Sequence, residues 1–101
     1  MVKSCSIVIP CFNESGAIEA TIRDILSTLE PTRVTTTEVV VVNDGSTDGS
    51  KETLDQLSKE LSEQPFRVIH HSRNLGYGAA LKTGIRRSNA EIICITDADG
   101  T

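Results

Sequence analysis

The chain has 101 residues, 38% of them hydrophobic and 24% charged, values that fit one globular domain over residues 1–101 and no second domain. Its formal net charge of −4 argues against nucleic acid as a partner, and an anionic ligand would have to be held by a cation or by helix N-termini rather than by bulk charge. No apolar run approaches the roughly 18 residues that span a bilayer, and the start of the chain lacks the basic residues and long apolar centre of a signal peptide, so a cytoplasmic protein is expected.

Ser6 to Pro10 is a short apolar strand. A helix follows from about Ser15 to Leu29, where Ile18, Ile22, Ile25, Leu26 and Leu29 recur at helical spacing. Glu38 to Asn43 contains four consecutive valines and reads as a strand buried on both faces, since a strand covered on both sides needs no polar alternation. Pro31 to Thr37 is a loop whose threonines partly extend that strand. The segment from about Ser50 to Leu61 carries Leu54, Leu57 and Leu61 on one side, and Ser46, Thr47 or Asp48 suits its N-cap. Arg67 to His71 is a third strand. Asn74-Leu75-Gly76-Tyr77-Gly78 leads from it into a helix from about Ala79 to Arg87, and Ile92 to Thr96 is the fourth strand.

This alternation predicts an α/β fold, an open parallel sheet joined by right-handed crossovers. If the first two crossovers move one way and the third reverses, the strand order is 3-2-1-4, with helices on both faces in a Rossmann-like arrangement. The crevice between the first and fourth strands is then a topological switch point, where ligands collect at the carboxyl ends of strands. Pro10 to Glu14, Asn43 to Asp48, Ser72 to Gly78 and Asp97 to Asp99 all fall on that edge. Two helices would cover one face and one the other, leaving apolar strand surface through which chains would associate.

Asp97-Ala98-Asp99 closes the fourth strand. Side chains two apart on an extended segment project to the same side, so two carboxylates converge there, a donor set suited to Mg²⁺ or Mn²⁺ shared with substrate phosphates. Acidic residues beside Gly100 also make an ordinary turn. Asp44 is placed to accept from a nucleobase N–H or a ribose hydroxyl, although Asp44-Gly45-Ser46 is a good turn as well. Phe12, or the backbone near Pro10, can lie along a base. Glu14 is placed either to hydrogen-bond to a nucleotide or to favour the dipole of the helix it precedes. Gly76 and Gly78 allow either an anion seat at a helix N-terminus or, the preferred reading, tight packing of that helix. Arg73 and Lys82 can either reach a phosphate or stand as solvated surface cations, whereas Arg86 and Arg87 suit the negative end of a helix.

Three cysteines, Cys5, Cys11 and Cys94, have neither an even count nor a Cys-x-x-Cys spacing, so reduced and mostly buried thiols are expected. His70 and His71, adjacent after a strand, should turn to opposite faces. Neither is assigned as a ligand or a base.

The segments Ile7-Val8-Ile9-Pro10-Cys11-Phe12-Asn13-Glu14, Val41-Val42-Asn43-Asp44-Gly45-Ser46-Thr47-Asp48, Asn74-Leu75-Gly76-Tyr77-Gly78-Ala79-Ala80 and Asp97-Ala98-Asp99-Gly100 together resemble the family 2 glycosyltransferases. The resemblance is strongest to the branch of dolichyl-phosphate mannose synthases and polyprenyl-phosphate glycosyltransferases, and it covers nearly the whole chain. It implies a nucleotide-diphosphosugar-binding (GT-A) fold with Pro10, Phe12, Glu14, Asp44 and Asp97 at the nucleotide, and Asp97 and Asp99 at the metal and diphosphate. The implied reaction is metal-dependent, inverting transfer of a sugar from a GDP- or UDP-sugar to an acceptor such as a polyprenyl or dolichyl phosphate, with the full-length enzyme peripheral at a membrane. Phe12 stands where many relatives have Tyr, and Asn43 where many have a second Asp. In the dolichyl-phosphate mannose synthases a metal-binding Gln occupies the place of Thr101. The family's catalytic base is expected beyond residue 101, so no residue here is assigned that role. The alternative is a nucleotide-sugar-binding module without activity. A dehydrogenase is disfavoured because Pro-Cys-Phe-Asn-Glu replaces the Gly-x-Gly-x-x-Gly loop. A phosphoryl-receiver domain would carry its acidic residues after the first and third strands, not the second and fourth.

Overall fold

Residues 5–29, 37–88, 90 and 92–96, described in a computed structural model, alternate strand and helix as the periodicity implies. The elements are β1 (Cys5–Cys11), α1 (Ile18–Leu29), β2 (Thr37–Asn43), α2 (Ser50–Glu60), β3 (Phe66–His70), α3 (Tyr77–Arg87) and β4 (Ile92–Ile95). All strand pairs are parallel and the sheet order is β3-β2-β1-β4, as expected.

The four valines occupy a central strand and are fully buried, two on each face. Val39 and Val41 join Ile9 and Cys11 beneath Ile18, Ile22 and Leu26 of α1 and Leu54 and Leu57 of α2. Val40 and Val42 pack with Ile69 and with Ala80 of α3. An uninterrupted apolar run is therefore what this position requires, because both pleats are covered by helices. The second face is thinner, and α3 comes close to the sheet at Gly84, where a β-carbon would fall inside van der Waals contact with Val8 Cγ1. Tight packing of α3 thus depends on Gly84. At Gly76 and Gly78, where it was expected, a β-carbon would meet nothing within 4 Å.

Two helices start elsewhere than expected. Asn13 adopts a left-handed conformation (φ 54°), and the Glu14 carbonyl accepts from Ala17 N (3.0 Å) and Ile18 N (2.9 Å), so Ser15–Ala17 form a turn and α1 begins at Ile18. α3 begins two residues early, at Tyr77, because Gly76 (φ 103°) takes the N-cap position and its carbonyl accepts from Ala80 N. The N-cap of α2 is Gly49 rather than Ser46, Thr47 or Asp48; Asp48 instead accepts from Ser50 N one residue further in.

At the amino end of the sheet on the α3 face, Glu38 accepts from Ser6 Oγ (2.8 Å) and Arg67 Nη2 (3.3 Å). Arg67 also donates to the Arg87 carbonyl at the end of α3. A cation from β3 thus joins Arg86 and Arg87 of the last turn at that helix end, in a position that favours the dipole. Of the cysteines only Cys11 is buried; Cys5 is half-buried and Cys94 exposed, 3.9 Å apart at sulfur, because β4 is an edge strand. The expectation of mostly buried thiols is corrected accordingly. No helix among the described residues is long and apolar enough to cross a membrane.

Candidate functional site

Cys11, Asn43 and His70 lie in one row across the carboxyl ends of β1, β2 and β3. The ladder extends one residue further, with Asp44 N donating to Cys11 O and His71 N to Asn43 O, both at 2.8 Å. Asp44 and His71 are thereby fixed beside each other on the α3 side of the sheet.

Asp44 is 3% exposed, and a carboxylate so far from water must be satisfied by donors. His71 Nδ1 (2.8 Å) and Leu75 N (2.9 Å) reach Oδ1, and Gly76 N (2.9 Å) reaches Oδ2. Burial alone would raise its pKa, but the His71 hydrogen bond followed by those from Leu75 and Gly76 outweighs it and holds the carboxyl below the ordinary range. Gly45 (φ 71°) passes directly under the backbone of Arg73 and Asn74, leaving no room for a β-carbon. The turn after β2 and the glycine-rich turn after β3 are therefore clasped together.

Between them and the end of β1 is a cavity of about 230 Å³ lined by Pro10, Cys11, Phe12, Asp44, Asn74, Gly76, Tyr77 and Ala80. Three of the expected site residues, Pro10, Phe12 and Asp44, meet here. Phe12 and Tyr77 are 45% and 58% exposed, so two aromatic rings stand at the cavity with surface to spare. Glu14 is not among the lining residues; its carbonyl starts the turn into α1. A larger recess of about 310 Å³ lies between α1 and α2 with Glu19, Glu52 and Glu60 in its walls, and Arg23 pairs with Glu19 (2.9 Å) and Glu60 (2.6 Å).

The loops after β1 and β2 are also tied to each other. Asn13 N donates to Ser46 Oγ (2.9 Å), Thr47 N to Asn13 Oδ1 (2.8 Å) and Ser15 N to Asp48 Oδ2 (3.1 Å). His70, turned to the opposite face from His71, accepts at Nδ1 from Asn43 Nδ2 (3.0 Å) and donates from Nε2 to Asp55 Oδ1 (2.8 Å), while Asn43 Oδ1 accepts from Ser46 N. Asn43, in place of a second Asp, can make this pattern because an amide both donates and accepts.

Asp97 and Asp99 lie outside the described residues. Among the described residues no group of three or more His, Cys, Asp or Glu could hold a metal ion, so the case for a cation rests on the Asp-x-Asp sequence.

The model of the family described as Glycosyl transferase family 2 matches residues 6–101. This chain belongs to glycosyltransferase family 2. Dolichyl-phosphate beta-glucosyltransferase of Saccharomyces cerevisiae is 36% identical over 98 residues, 94% of this chain and 29% of that protein. Among solved structures, the mannosyltransferase PcManGT from Pyrobaculum calidifontis in complex with GDP-Man and Mn²⁺ superposes with a TM-score of 0.86 at 28% identity, covering 98% of this chain and 28% of that one. TarS of S. aureus in complex with UDP-GlcNAc gives a TM-score of 0.78 at 25% identity, over 95% and 26% of the two chains. The chain thus spans under a third of the length of these relatives. The sheet and its helices have the fold of the corresponding part of these GT-A glycosyltransferases.

Within this glycosyltransferase region, Asn74, Tyr77 and His71 are the site residues that sequence reasoning left without a role. For Asn74 and Tyr77 the signal was available, since both lie in the quoted glycine-rich segment. For His71 there was none beyond its adjacency to His70, because its partner is chosen by the β2–β3 register.

Proposed function

We propose that this chain is the donor-binding half of a metal-dependent, inverting glycosyltransferase that takes a nucleotide diphosphosugar and passes its sugar to an acceptor such as a dolichyl or polyprenyl phosphate. The observation that carries this reading is the cavity at the carboxyl end of β1, where a nearly buried carboxylate, two exposed aromatic rings and a glycine turn at the start of α3 converge. Such strand ends are where open α/β sheets bind ligands. A base lies against Phe12 or Tyr77, Pro10 shapes the wall, and Glu14 meets the nucleotide from outside the cavity. Asp97 and Asp99 would hold Mg²⁺ or Mn²⁺, which neutralises charge on the departing diphosphate.

A carboxylate offers about four acceptor positions, and three on Asp44 are occupied. The one left, on Oδ2, suits the single imide N–H of uracil better than the adjacent N–H groups of guanine. Calorimetric titration with UDP and GDP, each with and without Mn²⁺, is expected to show Mn²⁺-dependent binding with UDP the tighter. In Asp99→Ala the Mn²⁺ dependence should disappear with the fold intact; unchanged dependence would remove the metal role. Binding without transfer, in a single-turnover assay with a lipid-phosphate acceptor, would favour a binding module. A lipid acceptor would bring the protein to a membrane surface from the cytoplasmic side. We also propose that chains associate through the exposed edge formed by β4.

A further inference from the structure

We propose that His71 is a positioning residue that acts through Asp44, bracing its carboxylate so that the remaining acceptor position serves the cavity. The proposal rests on the nucleotide reading of that cavity for its ligand, but its geometry stands independently.

His71 is absent from the cavity wall, whereas Asp44 is part of it, so any influence of the imidazole on a ligand passes through the carboxylate. Both side chains are almost withdrawn from water, 9% and 4% exposed. A carboxylate only accepts, so Nδ1 of His71 must carry the proton of the 2.8 Å hydrogen bond. The ring's orientation is set from its other end, where Nε2 lies 2.8 Å from Thr83 Oγ1 on α3. A hydroxyl can serve either state of that nitrogen, and the result is a strut from α3 through His71 to Asp44.

The strut matters because the other two donors to Asp44, Leu75 N and Gly76 N, belong to a turn containing a glycine at φ 103°. Their hold depends on that turn, whereas His71 follows β3 directly and contacts the middle of α3. A hydrogen bond to a charged acceptor is also among the stronger kinds. His70 provides the contrast. It makes the same sort of bridge on the opposite face, from Asn43 to Asp55 of α2, and has no bond to Asp44.

Two amide substitutions separate the ring nitrogens. In His71→Asn the side-chain nitrogen takes the place of Nδ1, keeping the donor to Asp44 and losing Thr83. In His71→Gln it takes the place of Nε2, keeping Thr83 and losing the donor. The experiment uses the full 101-residue chain, checked for folding by circular dichroism, with two readouts: titration of the Asp44 carboxyl by carbon-13 NMR without ligand, and affinity for UDP with Mn²⁺ by calorimetry. His71→Asn should leave the Asp44 titration low and the affinity within about threefold, while His71→Gln should raise the titration toward the ordinary range and weaken binding about tenfold or more. His70→Gln should change neither readout. Equal behaviour of the two His71 variants in both readouts would overturn the proposal. If the unsubstituted chain binds no nucleotide, the nucleotide reading fails, and the Asp44 titration alone decides the role of His71. Should a His71 variant not fold, nitrogen-15 NMR of the unsubstituted chain decides: a proton on His71 Nδ1, the atom facing Asp44, supports the proposal, and a neutral ring protonated on Nε2 alone overturns it.

Discussion

Asp48 accepts from the Ser50 hydroxyl (2.6 Å), from Ser15 N (3.1 Å) and from Ser50 N (3.0 Å). These bonds, the Ser50 hydroxyl first, pull its pKa from 3.8 to about 2. A carboxyl held lower in the folded than in the unfolded chain adds stability that is complete above the unfolded value and is lost as pH falls through the folded one. Acid unfolding followed by circular dichroism should therefore steepen from about pH 4 to about pH 2. Asp48→Asn should flatten that interval, and an unchanged slope would show that the loop tie contributes nothing. Asp44→Asn places an amide NH₂ among donors, so it should cost about 1–3 kcal/mol of stability as well as nucleotide binding. Thermal unfolding and calorimetry measure the two effects separately. Among the thiols, burial pushes Cys11 up in pKa, so a thiol reagent should modify exposed Cys94 while leaving Cys11 intact in the folded chain.

At the scale of elements, α3 carries two glycines with opposite expectations. Gly84 is buried against Val8, itself fully buried and β-branched with little freedom to move. Gly84→Ala should destabilise the fold by about 1–3 kcal/mol despite the better helix propensity of Ala. Gly78 lies in the first turn with open space around it, and Gly78→Ala should stabilise by about 0.5–1 kcal/mol. Thermal or urea unfolding of the pair decides the matter, and equal effects would mean that α3 can shift away from the sheet at no cost. The helices themselves were legible from Ile18, Ile22 and Leu26 or Leu54 and Leu57 at helical spacing. The starts of α1 and α3 were not, because the left-handed Asn13 and the cap at Gly76 are decided by contacts with neighbouring loops as well as by local preference.

Across the whole molecule, α1 and α2 cover one face of the sheet, α3 covers the other, and the edge strand β4 leaves Ile92 and Ile95 exposed at 42% and 48%. An edge of unpaired backbone with apolar side chains invites pairing with another chain. Light scattering at rising concentration should show association, and Ile95→Lys should reduce it; a strictly monomeric mass at high concentration would refute an interface there. The parallel order β3-β2-β1-β4 was accessible beforehand because strand and helix alternate and crossovers are right-handed. Four ordered motifs likewise sufficed to place the chain among the family 2 glycosyltransferases. These conclusions depend on residues close together in the chain or on the order of segments, and such information survives without coordinates. The partners of Asp44 do not belong to that class. His71 lies 27 residues away and Gly76 32, and groups so distant in sequence meet only when β3 pairs with β2 in one register and Gly45 lets the two loops close. Composition and motif order thus determined the fold and family, while tertiary structure alone decided which groups satisfy the buried carboxylate, because that requires hydrogen-bonding distances no sequence pattern specifies.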